Sequence, residues 1–460
     1  MARCPARGAG SVLNFLEHEL DRMRGSAPAL GPVPLGRIVS CDGGMIEVSG
    51  LNAPIGTLCR AQPRAGEPAP AAEVIGFRGG RSLMMLLGDT VRLQPGTLVR
   101  AEGRPGLVNV GEEFLGRAVD GTGQPIDGGP PVKAGHPWPL GGYREGALER
   151  ASVTEPFDCG VRAINALATL GVGQRVGIVA GSGVGKSMLL DMVARGASCD
   201  VAVIGLIGER GREVSDFVGR HMTGEMKRRM AVVAVPADHA ANLRLRGAQL
   251  ACSLAEYFRA QGKRVLLVLD SLTRVAHAAR EIALSLGEPG AARGYPPSAL
   301  SAITKLIERA GNSATSGGAI TGIYTVLADG DDQSDPVVDT ARAILDGHIV
   351  LSREIAQRGH YPAIDIPASL SRVMEAVADP DHRRRAHGLR GMIAAHESNR
   401  DFLLMGAYRA GADAQLDRAL ALQDPIRAFL AQDAHDTVPL GKSIAALTEL
   451  MDHADAAAQG

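Results

Sequence analysis

The chain has 460 residues, of which 45% are hydrophobic and 22% charged, and its formal net charge is −1. This length predicts about three domains, and the near-neutral charge provides no overall field to recruit nucleic acid or an anionic membrane. The six cysteines lack the close pairs of a zinc site and the density of a secreted disulfide scaffold. No apolar run reaches about 18 residues, so we expect neither a membrane span nor export by a signal peptide.

An amphipathic helix is predicted at the start of the chain, within residues 1–25. Ser11 is a suitable N-cap and Gly25 a suitable end. A Pro/Gly-rich stretch, residues 27–34, separates this helix from the rest, so its apolar face must be buried on this chain or on a partner protein. The apolar residues at helical spacing are Val12, Phe15, Leu16, Leu20 and Met23.

A small β-barrel is predicted for residues 26–105. Short apolar runs between Gly36 and Ala101 are broken regularly by glycine and proline, which is typical of such barrels. This region contains no recognisable catalytic constellation, and its expected role is packing or assembly. The predicted strands include residues 37–39, 45–48, 73–77 and 82–87.

A phosphate-binding loop is predicted in Arg175–Gly196, RVGIVAGSGVGKSMLLDMVARG, as a strand, a glycine-rich turn and a helix. Glycines let successive backbone N–H groups point at one site, and the helix adds the positive end of its dipole. Lys186 would neutralise the β- and γ-phosphates of ATP, and Ser187 would be a Mg²⁺ ligand. Ala180 replaces the glycine that usually opens the motif, at little steric cost. The predicted phosphate-binding residues are Gly181, Ser182, Gly183, Val184, Gly185, Lys186 and Ser187.

An α/β nucleotide-binding domain is predicted for residues 106–375. Apolar strand candidates alternate with helical segments there, which indicates a largely parallel sheet with crossover helices. Ligands of such sheets bind at the carboxyl ends of the strands. The strand candidates are residues 176–180, 201–207, 230–235, 265–270 and 320–327.

Two carboxylates follow strand ends in this domain. Asp270 closes an apolar run in the manner of a Walker B aspartate and would hold the Mg²⁺ shell. Glu209 follows a strand that we expect to neighbour the phosphate-binding strand, and it would polarise the attacking water. The alternative for Glu209 is a surface ion pair with Arg210 or Arg212. We favour the catalytic interpretation because three strand ends, at Ala180, Ile207 and Asp270, each carry groups that nucleotide hydrolysis requires.

Four segments carry a family resemblance: VAVIGLIGERGREVSDF from Val201, DSLTRVAHAAREIALSLGEPGAARGYPPSAL from Asp270, ITGIYTVLADGDDQSDPVVDTARAILDGHIVLSR from Ile320 and GHYPAIDIPASLSRVM from Gly359. The chain resembles the flagellum-specific protein export ATPases of type III secretion, which are related to the catalytic subunits of rotary ATP synthases. This resemblance implies an α/β fold: a RecA-like P-loop ATPase core with an N-terminal β-barrel and a C-terminal helical domain, residues 376–460.

The resemblance also implies roles for residues of the site. It makes Glu209 the catalytic glutamate, with Arg210 beside it, and Tyr361 the ring that stacks on adenine. It makes Arg372 an arginine finger that reaches the γ-phosphate bound by a neighbouring subunit. Each site for the cofactors ATP and Mg²⁺ would then combine Lys186 of one chain with Arg372 of the next. The residues alone leave a packed core ring open for Tyr361 and an intramolecular salt bridge open for Arg372.

The partners implied by the resemblance belong to the flagellar export apparatus. They are a homohexamer of this chain, a regulatory or tethering protein at the N-terminal helix, a central coiled-coil stalk protein, the export gate and chaperone–substrate complexes, with no nucleic acid. The expected location is cytoplasmic and peripheral to the inner membrane. The loop 287–297 would face the stalk, although its glycine and proline content also suits a plain structural loop.

Other functions compete with this one. A virulence (injectisome) ATPase shares the chemistry, and the GDDQSDP stretch from Gly330 favours the flagellar machine. The AGSGVGKS loop and the GEP…RGYPPS segment disfavour a rotary ATP synthase subunit. The near-neutral charge and the lack of a recognisable RNA-binding barrel signature disfavour a Rho-like RNA translocase. An inactive ring subunit is disfavoured because a structural role would need none of the residues Lys186, Ser187, Glu209, Asp270 and Arg372. We therefore predict an enzyme that couples Mg-ATP hydrolysis to the unloading and export of chaperone-bound substrates.

Overall fold

The structure of the protein is a computed structural model. It describes residues 34–62, 69–88, 93–143, 145–327 and 335–457. The helix predicted within residues 1–25 lies outside the described residues, as do positions 330–334 of the GDDQSDP stretch. None of the described helices is long and apolar enough to cross a bilayer. The limits of the four domains predicted from the sequence stay predictions.

A closed barrel of six strands stands first among the described residues. Its strands are β1 (Leu35–Asp42), β2 (Met45–Ser49), β3 (Leu58–Gln62), β4 (Ala71–Arg78), β5 (Arg81–Leu86) and β6 (Leu98–Glu102). Neighbours run antiparallel in the order β1-β2-β5-β4-β3-β6. Alternate side chains, including Ile46, Val48 and Val74, are fully buried inside it. The predicted barrel is present.

Two barrel strands, β3 and β6, escape prediction from the sequence. Their sequences are LCRAQ and LVRAE, in which the inward residues other than Val99 are small, namely Cys59, Ala61 and Ala101. Small inward side chains give the alternating pattern little hydrophobic contrast. The outward Arg60 pairs instead with Glu102, at 3.1 Å.

The remaining described strands build the nucleotide-binding region. They are β7 (Leu107–Val110), β8 (Ala118–Val119), β9 (His136–Pro139), β10 (Arg150–Ala151), β11 (Pro156–Phe157), β12 (Leu170–Gly171), β13 (Arg175–Ala180), β14 (Val201–Ile207), β15 (Met230–Val235), β16 (Arg264–Asp270), β17 (Gly311–Ser313), β18 (Ala319–Leu327), β19 (Gly347–Leu351) and β20 (Ile364–Ser371). Ten of these described strands form one sheet, in which β20-β19-β13-β18-β16-β14-β15-β8 is the main path and β10 and β17 attach beside β18. Pairs along the path are parallel except β19–β20.

The strand order corrects one prediction. All five predicted strands are present, as β13, β14, β15, β16 and β18. However, β14 does not neighbour β13, because β18 and β16 lie between them. In an open parallel sheet the crossover helices set the spatial order, and strands that come later in the chain insert between earlier ones.

Helices cover both faces of the sheet, as expected for buried parallel strands. Ile204 and Leu206 face one layer, whereas Val203 and Ile207 face the other. The described α-helices are Arg162–Leu167, Lys186–Gly196, Gly211–His221, Gly224–Arg229, Ala241–Ala260, Leu272–Ser285, Pro297–Ile307, Pro336–Ile344, Arg353–Gln357, Met374–Val377, Pro380–Ser398, Arg400–Leu404, Ala414–Ala421, Gln423–Leu430 and Leu440–Ala457.

The C-terminal region is helical, as predicted, and packs on the first of these layers. Asp379 caps the helix Pro380–Ser398 by accepting a hydrogen bond from the backbone N–H of His382 at 2.9 Å. The basic run at the start of this helix is neutralised locally, since Arg385 pairs with Asp381 at 2.9 Å and with Asp452 at 2.5 Å. These arginines therefore lie on a solvated, charge-balanced face.

A buried ion pair joins the helix Ala241–Ala260 to the end of Pro297–Ile307. Arg309 Nε and Nη2 donate to Glu256 Oε1 and Oε2 at 2.7 and 2.9 Å, and Trp138 Nε1 donates to the same carboxylate at 3.0 Å. Only 1% of the Glu256 side chain is exposed. The pair is satisfied by hydrogen bonds on both sides, as burial of charge requires.

Replacing Glu256 with glutamine should lower the free energy of unfolding by about 3–5 kcal/mol, because the Arg309 charge would stay buried without its counter-ion. Urea unfolding followed by circular dichroism measures this loss. Glu102→Gln is the matched control, since its pair with Arg60 is exposed and should be worth less than about 1 kcal/mol. Equal losses in the two variants would contradict the prediction.

Candidate active site

The loop after β13 has a shape suited to phosphate. Gly183 and Gly185 have φ of 77° and 91°, in the left-handed region that favours glycine. The helix Lys186–Gly196 begins directly after Gly185, and its first turn has neither a side-chain cap nor an acidic residue. Its free N–H groups and positive dipole end therefore point toward the loop with no local carboxylate competing for them. Ser182 and Ser187 are exposed, whereas Gly181 and Val184 are buried.

The Lys186 ammonium lies between the two predicted carboxylates. Its Nζ is 3.0 Å from Glu209 Oε1 and 2.5 Å from Asp270 Oδ1. Burial alone would lower the pKa of Lys186, but the charges of Asp270 and Glu209 outweigh burial and raise it. The lysine is therefore charged at neutral pH. The ends of β13, β14 and β16 thus place three of the predicted residues together.

Asp270 is presented at the end of β16 and is 5% exposed. Besides Lys186, its Oδ1 accepts a hydrogen bond from Thr325 Oγ1 at 2.5 Å. Burial raises the pKa of the Asp270 carboxyl, and the charge of Lys186 offsets only part of the rise. Thr325 was not predicted, although a hydroxyl inside the apolar strand β18 was a signal for it, since such a group must find a partner when buried.

Glu209 reaches the same point from β14, which is separated from β13 by the two strands β18 and β16. Gly208, with φ of 74°, turns the chain sharply, and the Glu209 carbonyl accepts from the Ala237 N–H at 3.0 Å. The surface ion pair considered as the alternative is not formed. Both arginines are exposed and pair with other carboxylates: Arg210 lies 3.8 Å from Glu213, and Arg212 lies 3.9 Å from Asp216. Arg210 thus lies next to the carboxylate cluster in sequence but not in contact with it.

The Tyr361 ring rests on the phosphate-binding loop. A Cβ added to Gly185 would meet Tyr361 Cδ1 and Cε1 at 3.3 Å. The ring is 37% exposed, so it is not a packed core residue. Its carbonyl accepts a hydrogen bond from the backbone N–H of Gln432 at 3.0 Å, and the Gln432 side chain accepts from the Arg162 N–H at 2.8 Å. An open aromatic face beside a phosphate site suits a nucleotide base.

Arg372 lies far from this cluster in its own chain. It follows β20, and its N–H donates to the carbonyl of Asp346, whose N–H donates in turn to the carbonyl of Arg175. Arg175 opens β13 and Ala180 closes it, so Arg372 and the loop are separated by roughly 17 Å along the strand. Arg372 is exposed, and no carboxylate of the described residues forms a salt bridge with it.

The donor set fits a magnesium–nucleotide pair. Ser187 and Asp270 offer a hydroxyl and a carboxylate, the hard oxygen ligands that Mg²⁺ takes alongside substrate phosphates. No group of three or more His, Cys, Asp or Glu side chains in the described part of the chain could hold a metal by itself. The Lys186 ammonium would attract an anionic phosphate, and the carboxylates of Glu209 and Asp270 would attract a divalent cation.

Comparison with known proteins identifies the family. Residues 160–371 match the ATP synthase alpha/beta family, nucleotide-binding domain, and residues 378–449 match the T3SS EscN ATPase C-terminal domain. The chain is 46% identical to the flagellum-specific ATP synthase of Pseudomonas aeruginosa, over 91% of this chain and 94% of that protein. The chain belongs to the flagellum-specific ATP synthase family. It is also 45% identical to the Salmonella typhimurium member, over 90% and 92% of the two chains.

Membership of the flagellum-specific ATP synthase family makes the chain an ATPase of type III protein export. The type 3 secretion system ATPase of Xanthomonas euvesicatoria is 42% identical over 91% of this chain and 94% of its own, so the flagellar interpretation is better supported than the injectisome. The assembled ATPase EscN of enteropathogenic E. coli matches with a TM-score of 0.84 and 39% identity, covering 90% of this chain and 99% of that one. The predicted fold class is confirmed.

Proposed function

We propose that this chain couples Mg-ATP hydrolysis to the unloading of chaperones and substrates at the flagellar export apparatus, as one subunit of a homohexamer. The separation of the site into two parts carries the proposal. Lys186, Glu209 and Asp270 meet at one point, whereas Arg372 is exposed at the other end of the sheet. A neighbouring subunit would bring its own Arg372 to that point.

Binding of ATP would use the loop 181–187 and Tyr361. The loop N–H groups and Lys186 hold the β- and γ-phosphates, and the Tyr361 ring stacks on adenine. Ser187 and Asp270 would hold Mg²⁺, which supplies charge neutralisation at the phosphates when bound. The open ring beside Gly185 and the exposed Ser187 support these roles.

Hydrolysis would be directed by Glu209. Its carboxylate orients and polarises a water for in-line attack on the γ-phosphorus, so that the new P–O bond forms as the bond to the bridging β–γ oxygen breaks. The guanidinium of Arg372 from the neighbour stabilises the charge on the transferred group. Arg210 is exposed beside Glu209, and its role would be to contact the neighbouring subunit.

A central stalk protein is the partner proposed for the loop 287–297. A solved structure shows EscN in complex with its central stalk EscO, at a TM-score of 0.82 and 38% identity over 90% of this chain and 99% of that one. In this chain, Glu288 Oε1 accepts from the backbone N–H of Ser298 at 3.1 Å, which fixes the loop to the helix Pro297–Ile307. A fixed loop presents a defined surface to a coiled coil.

Partners at the two ends of the chain complete the proposal. The helix predicted within residues 1–25 would recruit a regulatory or tethering protein, which holds the enzyme at the cytoplasmic face of the inner membrane. The C-terminal helices meet the export gate and chaperone–substrate complexes. Deleting residues 1–25 and testing co-purification with that regulator examines the first of these contacts.

The ATPase rate per subunit should rise with protein concentration, since assembly completes the site. Hydrolysis of ATP with Mg²⁺ would be followed by phosphate release across a series of protein concentrations, together with the molar mass from light scattering. We expect a rise of about tenfold or more as the oligomer forms. A rate per subunit that is constant while the mass changes would contradict the proposal.

A further inference from the structure

A second charged cluster links the phosphate-binding helix to the helix that carries Glu209. Asp191 lies on Lys186–Gly196, four residues after Ser187, and is 7% exposed. Its Oδ1 is 2.8 Å from His221 Nε2, and its Oδ2 is 2.5 Å from Arg220 Nη1. Both partners end the helix Gly211–His221, which begins two residues after Glu209.

The buried carboxylate determines how this cluster is arranged. Because the Asp191 carboxylate also pairs with Arg220, we assign it as the acceptor and His221 Nε2 as the donor of their hydrogen bond. The imidazole is 5% exposed and packs against the Phe217 ring, with 4.4 Å between ring centroids. Loss of Asp191 would leave the His221 donor buried without this partner, a costly state that displacement of the helix would relieve.

Packing holds the two helices only in part, although apolar side chains of both belong to one buried core cluster. A cavity of about 260 Å³ separates them, and its apolar walls include Leu190, Ala194, Val214 and Phe217. Its lining also contains Ser187, Glu209 and Asp270, so the cavity opens onto the catalytic cluster. Two polar contacts, Lys186–Glu209 and Asp191–His221, therefore act together with this packing in setting the separation.

We infer that Asp191, through His221 and Arg220, is a positioning residue that sets the distance of Glu209 from the phosphate-binding loop. This inference rests on the proposed function of Glu209. The hydrogen-bond and ion-pair partners of Asp191 are His221 and Arg220 rather than Lys186, Glu209 or Asp270. It acts on the rate through the placement of a helix whose first residue is two positions from the catalytic carboxylate.

Asp191→Ala should lower kcat about tenfold with KM for ATP within about twofold, because small misplacement of a catalytic group costs rate rather than binding. The double variant Asp191→Ala/Glu209→Gln should lose no more kcat than Glu209→Gln alone, since Asp191 acts through that residue. His221→Gln, which keeps a donor, should retain more activity than His221→Leu. Arg212→Ala, exposed on the same helix, is the control and should match wild type.

A purely structural role for Asp191 would instead lower thermal stability and the fraction of active protein. The kcat losses of the two single variants would then multiply in the double variant, and this result would overturn the inference. If Asp191→Ala keeps full kcat while Glu209→Gln is inactive, the positioning role is overturned and the proposed function stands. Full kcat in Glu209→Gln overturns the proposed function itself. If Asp191→Ala does not fold, the His221 pair decides: equal kcat in His221→Gln and His221→Leu contradicts the positioning role.

Discussion

Replacing Glu209 with glutamine should lower kcat about 10³-fold and leave the affinity for ATP within a few-fold. The amide keeps the shape of the side chain but no longer carries the negative charge that polarises the water. Lys186 keeps Asp270 as an ion-pair partner at 2.5 Å in the variant, so the binding loop stays ordered. Isothermal titration with a non-hydrolysable analogue and phosphate-release kinetics separate the two effects.

Glu213→Gln provides the matched control for this variant. Its carboxylate is also close to Arg210 in sequence and space, at 3.8 Å, but it is substantially exposed and does not contact Lys186. We expect near wild-type rates from it. Hydrolysis by Glu209→Gln within about tenfold of wild type would remove Glu209 from the chemistry.

Arg372→Ala should also lose about 10³-fold in kcat while binding ATP normally, because its side chain is far from the loop that binds nucleotide in the same chain. The decisive measurement is complementation. Lys186→Ala subunits would lack nucleotide binding but supply Arg372, whereas Arg372→Ala subunits would bind nucleotide but lack the finger. Mixing two inactive preparations should restore part of the activity at the mixed interfaces.

The double variant Lys186→Ala/Arg372→Ala is the control for this mixing experiment. Mixed with either single variant, it supplies no interface that has both groups, so activity should stay at the level of the inactive parents. Restoration only in the first mixture shows that the two residues act from different chains. A mixture as inactive as its parents, with oligomers formed, would contradict the trans arrangement.

Much of the fold was predictable because hydrophobic patterns report burial directly. The strands β13, β14, β15, β16 and β18 are buried on both faces, and their continuous apolar runs mark them in the sequence. Their spatial order was not predictable, since the pattern of one strand contains no information about which strands flank it. The error over the neighbour of β13 arose from that gap.

The candidate site divided in the same way. Lys186, Asp270 and Glu209 follow apolar runs, so their positions at one edge of the sheet could be anticipated. Asp191 and His221 are thirty positions apart on two helices, and their meeting depends on how these helices pack. Tyr361 and Arg372 acquired roles only by resemblance, because neither an exposed ring nor an exposed arginine is distinctive in a sequence.

The backbone of Tyr361 has a consequence for how chemical energy could leave the site. The Tyr361 ring lies on Gly185, and the Tyr361 carbonyl accepts a hydrogen bond from the N–H of Gln432. Gln432 in turn links the C-terminal helices to Arg162, before the main strands of the sheet. A base stacked on this ring, as we propose, would lie on a segment that is hydrogen-bonded to the C-terminal helices. A movement of Tyr361 would therefore be transmitted through this hydrogen bond to the C-terminal helices of the same subunit, before any neighbour takes part.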